Sequence, residues 1–195
     1  MTTQNYSEAH TNDLHQKMQT VMTEADLLIG PEQIEASLKD LAEKITAEIS
    51  QDVPVVYSVM NGGLVFSGKL MTYLNFPLEQ GYMHATRYRG ETKGSDDLQW
   101  QALPSVPMDD RTVLILDDIF DEGYTLAEIV RACKAQGAKR VLTAVLLNKV
   151  HDRKTQDLEV DFVGLDVEDR YVFGYGMDYR GYWRNANGIF AVKGL

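Results

Sequence analysis

The chain has 195 residues, of which 44% are hydrophobic and 25% charged, and its formal net charge is −10. These proportions describe a folded globular chain and exclude global disorder, a collagen-like repeat and a disulfide scaffold. The acidic balance excludes general nucleic-acid binding, which needs a positive footprint, yet leaves room for a small basic pocket around one anionic ligand.

Residues 1–13 read as a frayed end, and residues 14–29 carry a weak helical pattern. Gly30-Pro31 opens a stronger helix, because proline at the first helical position sacrifices an N–H that has no intrahelical partner there. Ile34, Leu38, Leu41, Ile45 and Ile49 then form one apolar stripe to about Ser50. Residues 53–60 form a short β-branched apolar run, a buried strand ended by Asn61-Gly62-Gly63. A helix over 64–74 and a strand over 82–88 follow. Residues 89–106 are polar and rich in turn residues, and a connection of that length inside a domain predicts a lid or mobile loop.

Thr112-Val113-Leu114-Ile115-Leu116 is the strongest strand signal. It leads into the acidic loop 117–125 and then a helix whose Leu126, Ile129, Val130 and Cys133 face a core. Gly137 closes that helix. Further strands are expected over 141–147, 161–165, 171–173 and 189–192. Continuous apolar strands alternating with helices predict an α/β fold with a mainly parallel sheet covered on both faces.

Cys133 is the only cysteine, so an intramolecular disulfide and a thiolate metal cluster are both excluded. Residues 1–20 lack the basic and apolar regions of a secretory signal, and no apolar stretch approaches the roughly 18 residues of a membrane span. A cytoplasmic chain with no membrane partner is expected. His10, His15, His84 and His151 lack metal-ligand spacing.

Ligands of open parallel sheets bind beyond the carboxyl ends of the strands. Three segments fall there: Asn61-Gly62-Gly63, the stretch from Asp117 to Thr125, and Asn148-Lys149. In the second, a buried strand ends in two carboxylates, a third follows, Gly123 permits a tight turn and Thr125 starts a helix. Backbone N–H groups in such a turn cradle an anion with help from the helix dipole. Taken alone, an acidic turn of this kind also reads as a solvated loop capped by Thr125. An EF-hand is excluded, because the acids do not alternate and a strand precedes them.

The run Val113 to Leu126 resembles the signature of the type I phosphoribosyltransferases: an apolar strand, two acids, two apolar residues and an Asp-Thr-Gly-x-Thr-like loop. Other segments are similar to the hypoxanthine-guanine members of that family, over most of the chain from about Asp26. The resemblance implies a mainly parallel central sheet flanked by helices with a small hood subdomain. It implies one domain over 1–195, with a core over about 52–150 and a hood from about 14–50 and 160–195. Residues 27–29 match the family's N-terminal approach to its first helix.

The implied activity is purine salvage: transfer of the 5-phosphoribosyl group from phosphoribosyl pyrophosphate to hypoxanthine or guanine, giving IMP or GMP and pyrophosphate. A xanthine-preferring relative and a non-catalytic regulator sensing phosphoribosyl pyrophosphate are the alternatives. The donor would meet Asn61, Gly62, Gly63, Asp117, Asp118, Asp121, Glu122, Gly123, Tyr124, Thr125 and Arg184. Glu122 stands where the family usually has Thr or Ser, and Asn61 replaces a common basic residue.

Asp121 would be the catalytic base at purine N7. Lys149, Tyr171, Val172 and Asp178 would hold the purine: Lys149 on the 6-oxo group, the Tyr171 ring stacked on the base and the Val172 backbone on its edge. The implied cofactor is Mg2+, with Asp178, Asp117 and Asp118 on the metal side. Tyr88 would stand at the edge of the lid, and Met60-Asn61 is a candidate cis peptide. A homodimer or homotetramer is the family's usual assembly.

Overall fold

A computed structural model describes residues 8–87 and 98–194. The chain opens with a helix, α1 (Glu8–Glu24), and a short strand, β1 (Asp26–Ile29). Residues 26–29 are therefore extended rather than the end of a helix. Their partner is β9 (Ile189–Ala191), far away in sequence, with Asp26 opposite Ala191. β9 also pairs with β8 (Val172–Phe173), which makes a three-stranded antiparallel sheet in the order β1-β9-β8. Trp183 of the same region ties down α1, since its Nε1–H donates to the Met18 carbonyl at 2.9 Å.

Helix α2 (Pro31–Ile49) starts as its sequence predicts. Pro31 occupies the first turn, and the Gly30 N–H donates to Gln33 Oε1 at 3.0 Å. The stripe Ile34, Leu38, Leu41, Ile45 and Ile49 is buried throughout. A second sheet forms the body of the molecule. Its members are β2 (Val55–Val59), β3 (Glu79–Arg87), β4 (Leu98–Ala102), β5 (Thr112–Phe120), β6 (Arg140–Val150) and β7 (Phe162–Glu168). Their order is β4-β3-β2-β5-β6-β7, and every pairing is parallel except β3 with β4.

The largely apolar runs Val55 to Val59 and Val113 to Leu116 follow from burial on both faces. Val56, Leu114 and Leu116 pack with α2 and α3 (Gly63–Leu70) on one side. Val55, Tyr57, Val113 and Ile115 pack with α4 (Tyr124–Ala135) on the other. The division follows the two-residue period of a strand. Cys133 is fully buried in this second layer, and burial pushes its thiol up to about 11.

Residues 8–13, expected to be frayed, belong to α1, and two further expectations need correction. The segment 89–106 is not a structureless connection, because 98–102 forms β4, antiparallel to β3 with Arg87 opposite Leu98. Its sequence, Leu-Gln-Trp-Gln-Ala, gives one face to the core, where Trp100 packs, and leaves the other polar. Tyr88 and residues 89–97 lie outside the described residues. β5 also runs on through the acid pair to Phe120, because its ladder with β6 continues to Phe120 opposite Asn148. Asp117 and Asp118 are thus strand residues rather than loop residues.

Candidate active site

The strand order reverses between β2 and β5: β3 lies beyond β2 on one side, and β6 and β7 lie beyond β5 on the other. The loops leaving these two strands diverge, and the crevice between them is the expected ligand position in an open α/β sheet. One wall is the turn after β2, where Met60-Asn61 is a cis peptide and Gly62-Gly63 leads into α3. The other wall is the end of β5 and the start of α4.

Gly123 precedes α4 with φ +83, a left-handed conformation suited to glycine. The first backbone bond of α4 runs from Ala127 N–H to the Gly123 carbonyl, at 2.9 Å. Within the helix, the N–H groups of Thr125 and Leu126 have no acceptor, so this end of α4 favours an anion. Thr155 N–H donates to the Glu122 carbonyl at 2.8 Å, which ties the turn to the segment after β6. The Glu122 residue is exposed. A cavity of about 470 Å³ opens here, with Gly62, Asp117, Asp118, Gly123, Thr125 and Arg184 among its lining residues.

Asp117 and Asp118 sit side by side, with the Asp118 N–H donating to Asp117 Oδ1 at 3.0 Å and the Ile119 N–H to Asp118 Oδ1 at 3.1 Å. Burial and the neighbouring charge of Asp118 push the Asp117 carboxyl well above the usual carboxylate range. Burial also raises Asp118, against the opposing pull of its hydrogen bonds and of Arg184. Two desolvated carboxylates resist ionising together. Such a pair fits a ligand bringing hydroxyl donors and a divalent cation, for which carboxylate oxygens are the matching donors.

Arg184 binds Asp178 at 2.6 Å and donates to the Gly176 carbonyl at 2.7 Å. Asp178 also accepts from Gly181 N–H at 2.6 Å. Its carboxylate is therefore engaged in the substrate-free protein. Gly62 packs between the Asp118 carboxylate and Gly176. A Cβ on Gly62 would overlap that carboxylate, and a Cβ on Gly176 would overlap the Gly62 carbonyl. Two glycines thus bring the turn after β2 against the C-terminal region.

A second cavity, of about 280 Å³, adjoins the first and shares Asp118, Ile119 and Asp121 with it. Lys149, Tyr171, Val172 and Asp178 complete its wall together with Met177. The Lys149 ammonium lies 2.8 Å from Asp121 Oδ2, and its side chain is 11% exposed. Tyr171 is an exposed ring braced edge-on by Tyr179 at 5.8 Å, whereas the Val172 side chain is buried. His151 Nε2 lies 2.7 Å from the other oxygen, Asp121 Oδ1.

Every candidate residue within the described part of the chain other than Tyr171, Val172, Asp178 and Arg184 comes from the crevice loops or the strands beside them. Those exceptions also converge, since Arg184 lines the larger cavity and Tyr171, Val172 and Asp178 line the smaller one, whereas Asn61 and Gly63 line neither. Ile119, Met177 and His151 escaped the reading of the sequence. Ile119 and Met177 are ordinary apolar residues whose neighbours come from distant segments. His151 had a weak signal, because it stands two residues after Lys149 and directly follows the last residue of β6.

The profile of the "Phosphoribosyl transferase domain" family matches residues 29–180. The hypoxanthine-guanine phosphoribosyltransferase of Bacillus subtilis (strain 168) is 32% identical over 86% of this chain and 92% of its own. The hypoxanthine-guanine-xanthine phosphoribosyltransferase of Tritrichomonas foetus is 28% identical over 86% of this chain and 91% of its own. Among solved structures, a hypoxanthine phosphoribosyltransferase from Staphylococcus aureus superposes with a TM-score of 0.83 at 26% identity, covering 89% of this chain and 95% of that one.

Proposed function

The chain belongs to the phosphoribosyl transferase domain family, on its hypoxanthine-guanine branch, and from that premise we infer that it transfers a 5-phosphoribosyl group to a 6-oxopurine. It is a purine salvage enzyme, using phosphoribosyl pyrophosphate and hypoxanthine or guanine and releasing pyrophosphate with IMP or GMP. The observation that carries the assignment of parts is the wall shared by the two cavities, Asp118, Ile119 and Asp121. A sugar phosphate in the larger cavity and a base in the smaller one would meet there, where the new carbon–nitrogen bond must form.

The turn Asp121, Glu122, Gly123, Tyr124 and Thr125 takes the 5′-phosphate at the N-terminus of α4. Asp117 and Asp118 accept the ribose hydroxyls. Asn61, Gly62 and Gly63 hold the pyrophosphate by backbone N–H groups, with Arg184 beside them. Lys149 gives up its contact with Asp121 to donate to the 6-oxo group, Tyr171 stacks on the ring and the Val172 backbone meets its edge. A 6-amino group would set two donors against each other, which disfavours adenine. Asp121 accepts the proton from N7 as the sugar bonds to the base; its side chain is 44% exposed, so placement beside the reacting nitrogen is what makes this weak base effective.

The family works with a divalent cation, and Mg2+ fits the hard oxygen donors Asp117, Asp118 and Asp178. When bound it would neutralise the charge gathering on the departing pyrophosphate. We take the chain as one domain with a core and a hood, and its assembly as a homodimer or homotetramer. No helix among the described residues is long and apolar enough to cross a membrane, and we place the enzyme in the cytoplasm with its substrates. Competition kinetics with hypoxanthine, guanine, xanthine and adenine test the reading. IMP and GMP should form and AMP should not. Preference for xanthine would move the assignment to that substrate, and absence of every nucleotide from folded protein would overturn it.

A further inference from the structure

His151 sits at the end of β6, and its side chain is 3% exposed. The Arg153 backbone N–H donates to His151 Nδ1 at 3.1 Å. That nitrogen must therefore offer its lone pair, which places the ring proton on Nε2 of a neutral imidazole. Nε2 then donates to Asp121 Oδ1 at 2.7 Å. The opposite oxygen, Oδ2, is the one held by Lys149 at the cavity wall.

Asp121, His151 and Asp169 approach one another closely enough to suggest a metal site. Their hydrogen bonds argue otherwise. Asp169 is gripped through both oxygens by the Arg153 guanidinium, at 2.7 and 2.9 Å. Both ring nitrogens of His151 and both oxygens of Asp121 are likewise engaged. The cluster is a chain of hydrogen bonds running from a backbone N–H through an imidazole to the carboxylate at the cavity.

We propose that His151 is a positioning residue: it holds Asp121 by one oxygen from behind, so that the other stays aimed at the base when Lys149 leaves it for the purine. The inference rests on the functional reading above. Lys149 alone cannot fix Asp121 throughout the reaction, because it has a second partner in the 6-oxo group. His151 lines neither cavity, so its bond to Asp121 does not compete with a bound base. A carboxylate that swings freely loses the alignment on which proton transfer depends.

Two variants and one spectrum test this. His151→Leu should lower kcat on the order of 10- to 100-fold, the loss expected for misplacing a reacting group by about 1 Å. The KM for phosphoribosyl pyrophosphate should stay within about two-fold. His151→Gln, whose amide N–H reaches about as far as Nε2, should restore most of kcat. An unchanged kcat in the Leu variant, or a loss that Gln fails to repair, would overturn the proposal. The imidazole 15N spectrum of the free protein should show the neutral Nε2–H form at His151, and an Nδ1–H form or an imidazolium would overturn it. Wild-type protein with that tautomer but no nucleotide formation would overturn the functional reading and the positioning role of His151 with it. Wild-type turnover alongside unaffected variants would overturn the His151 proposal alone.

Discussion

At Asp121, burial raises the carboxyl, but the hydrogen bonds from Lys149 and His151 outweigh it and bring it below the ordinary range. A carboxylate depressed on folding adds stability above its unfolded value of about 3.9, and that stability is lost as pH falls through the folded value. At neutral pH Asp121 is therefore ionised and ready to take a proton. Asp121→Asn removes the acceptor but keeps the shape. It should lower kcat by about 100-fold or more while the KM for phosphoribosyl pyrophosphate changes little, and equal turnover in steady-state kinetics would take Asp121 out of the mechanism. Lys149→Ala removes both the proposed donor to the 6-oxo group and one of the bonds that lower Asp121. The KM for hypoxanthine should rise, and the acid limb of the kcat profile should move to higher pH. Asp117 is the opposite case, a carboxyl raised by burial and by its neighbour. Above the ordinary carboxylate range burying this acid opposes folding, whether it ionises or holds its proton, so Asp117→Asn should raise the melting temperature at pH 8 in the absence of ligand. The shift should be about 2–4 °C for each 1 kcal/mol of relief, with weakened donor binding. A lower melting temperature would show that Asp117 stabilises the free protein.

Between elements, the decisive contact is the seam where the turn after β2 meets the C-terminal region. Gly62→Ala forces the Asp118 carboxylate to move. It should cost donor affinity much more than stability, as read by calorimetry beside thermal melts. Unimpaired donor binding would show that the Asp118 position is immaterial. The elements legible beforehand were those whose periodicity reports their own burial: α2 from its stripe, and β2, β5 and β6 from unbroken apolar runs. β1 was not legible, because four residues carry too little pattern and their partner β9 lies at the other end of the chain. β4 was hidden by its glutamines, which are explained only once β3 is beside it. The helix α1 has no apolar stripe strong enough to announce itself, and its tie to Trp183 is a long-range contact.

In the whole molecule, the site is a consequence of strand order. The reversal between β2 and β5 opens a crevice, the loops after those strands supply an anion cradle and an acid pair, and the ends of β6 and β8 close a second cavity beside it. The strand-acid-glycine pattern from Val113 to Thr125 pointed to the larger cavity, since much of its lining lies in consecutive residues. The smaller cavity was less legible, because Lys149, Tyr171 and Met177 come together only through folding. His151 was passed over for the same reason: its partner stands thirty residues earlier, and a lone histidine tested only for metal spacing shows nothing. The whole account stands on joint use of the two cavities, and the most direct measurement follows hypoxanthine, phosphoribosyl pyrophosphate and Mg2+ in one tube with folded protein. IMP and pyrophosphate should appear in equal amounts and cease when the metal is chelated. Consumption of the donor with free ribose 5-phosphate and no IMP, or no reaction at all, would contradict it.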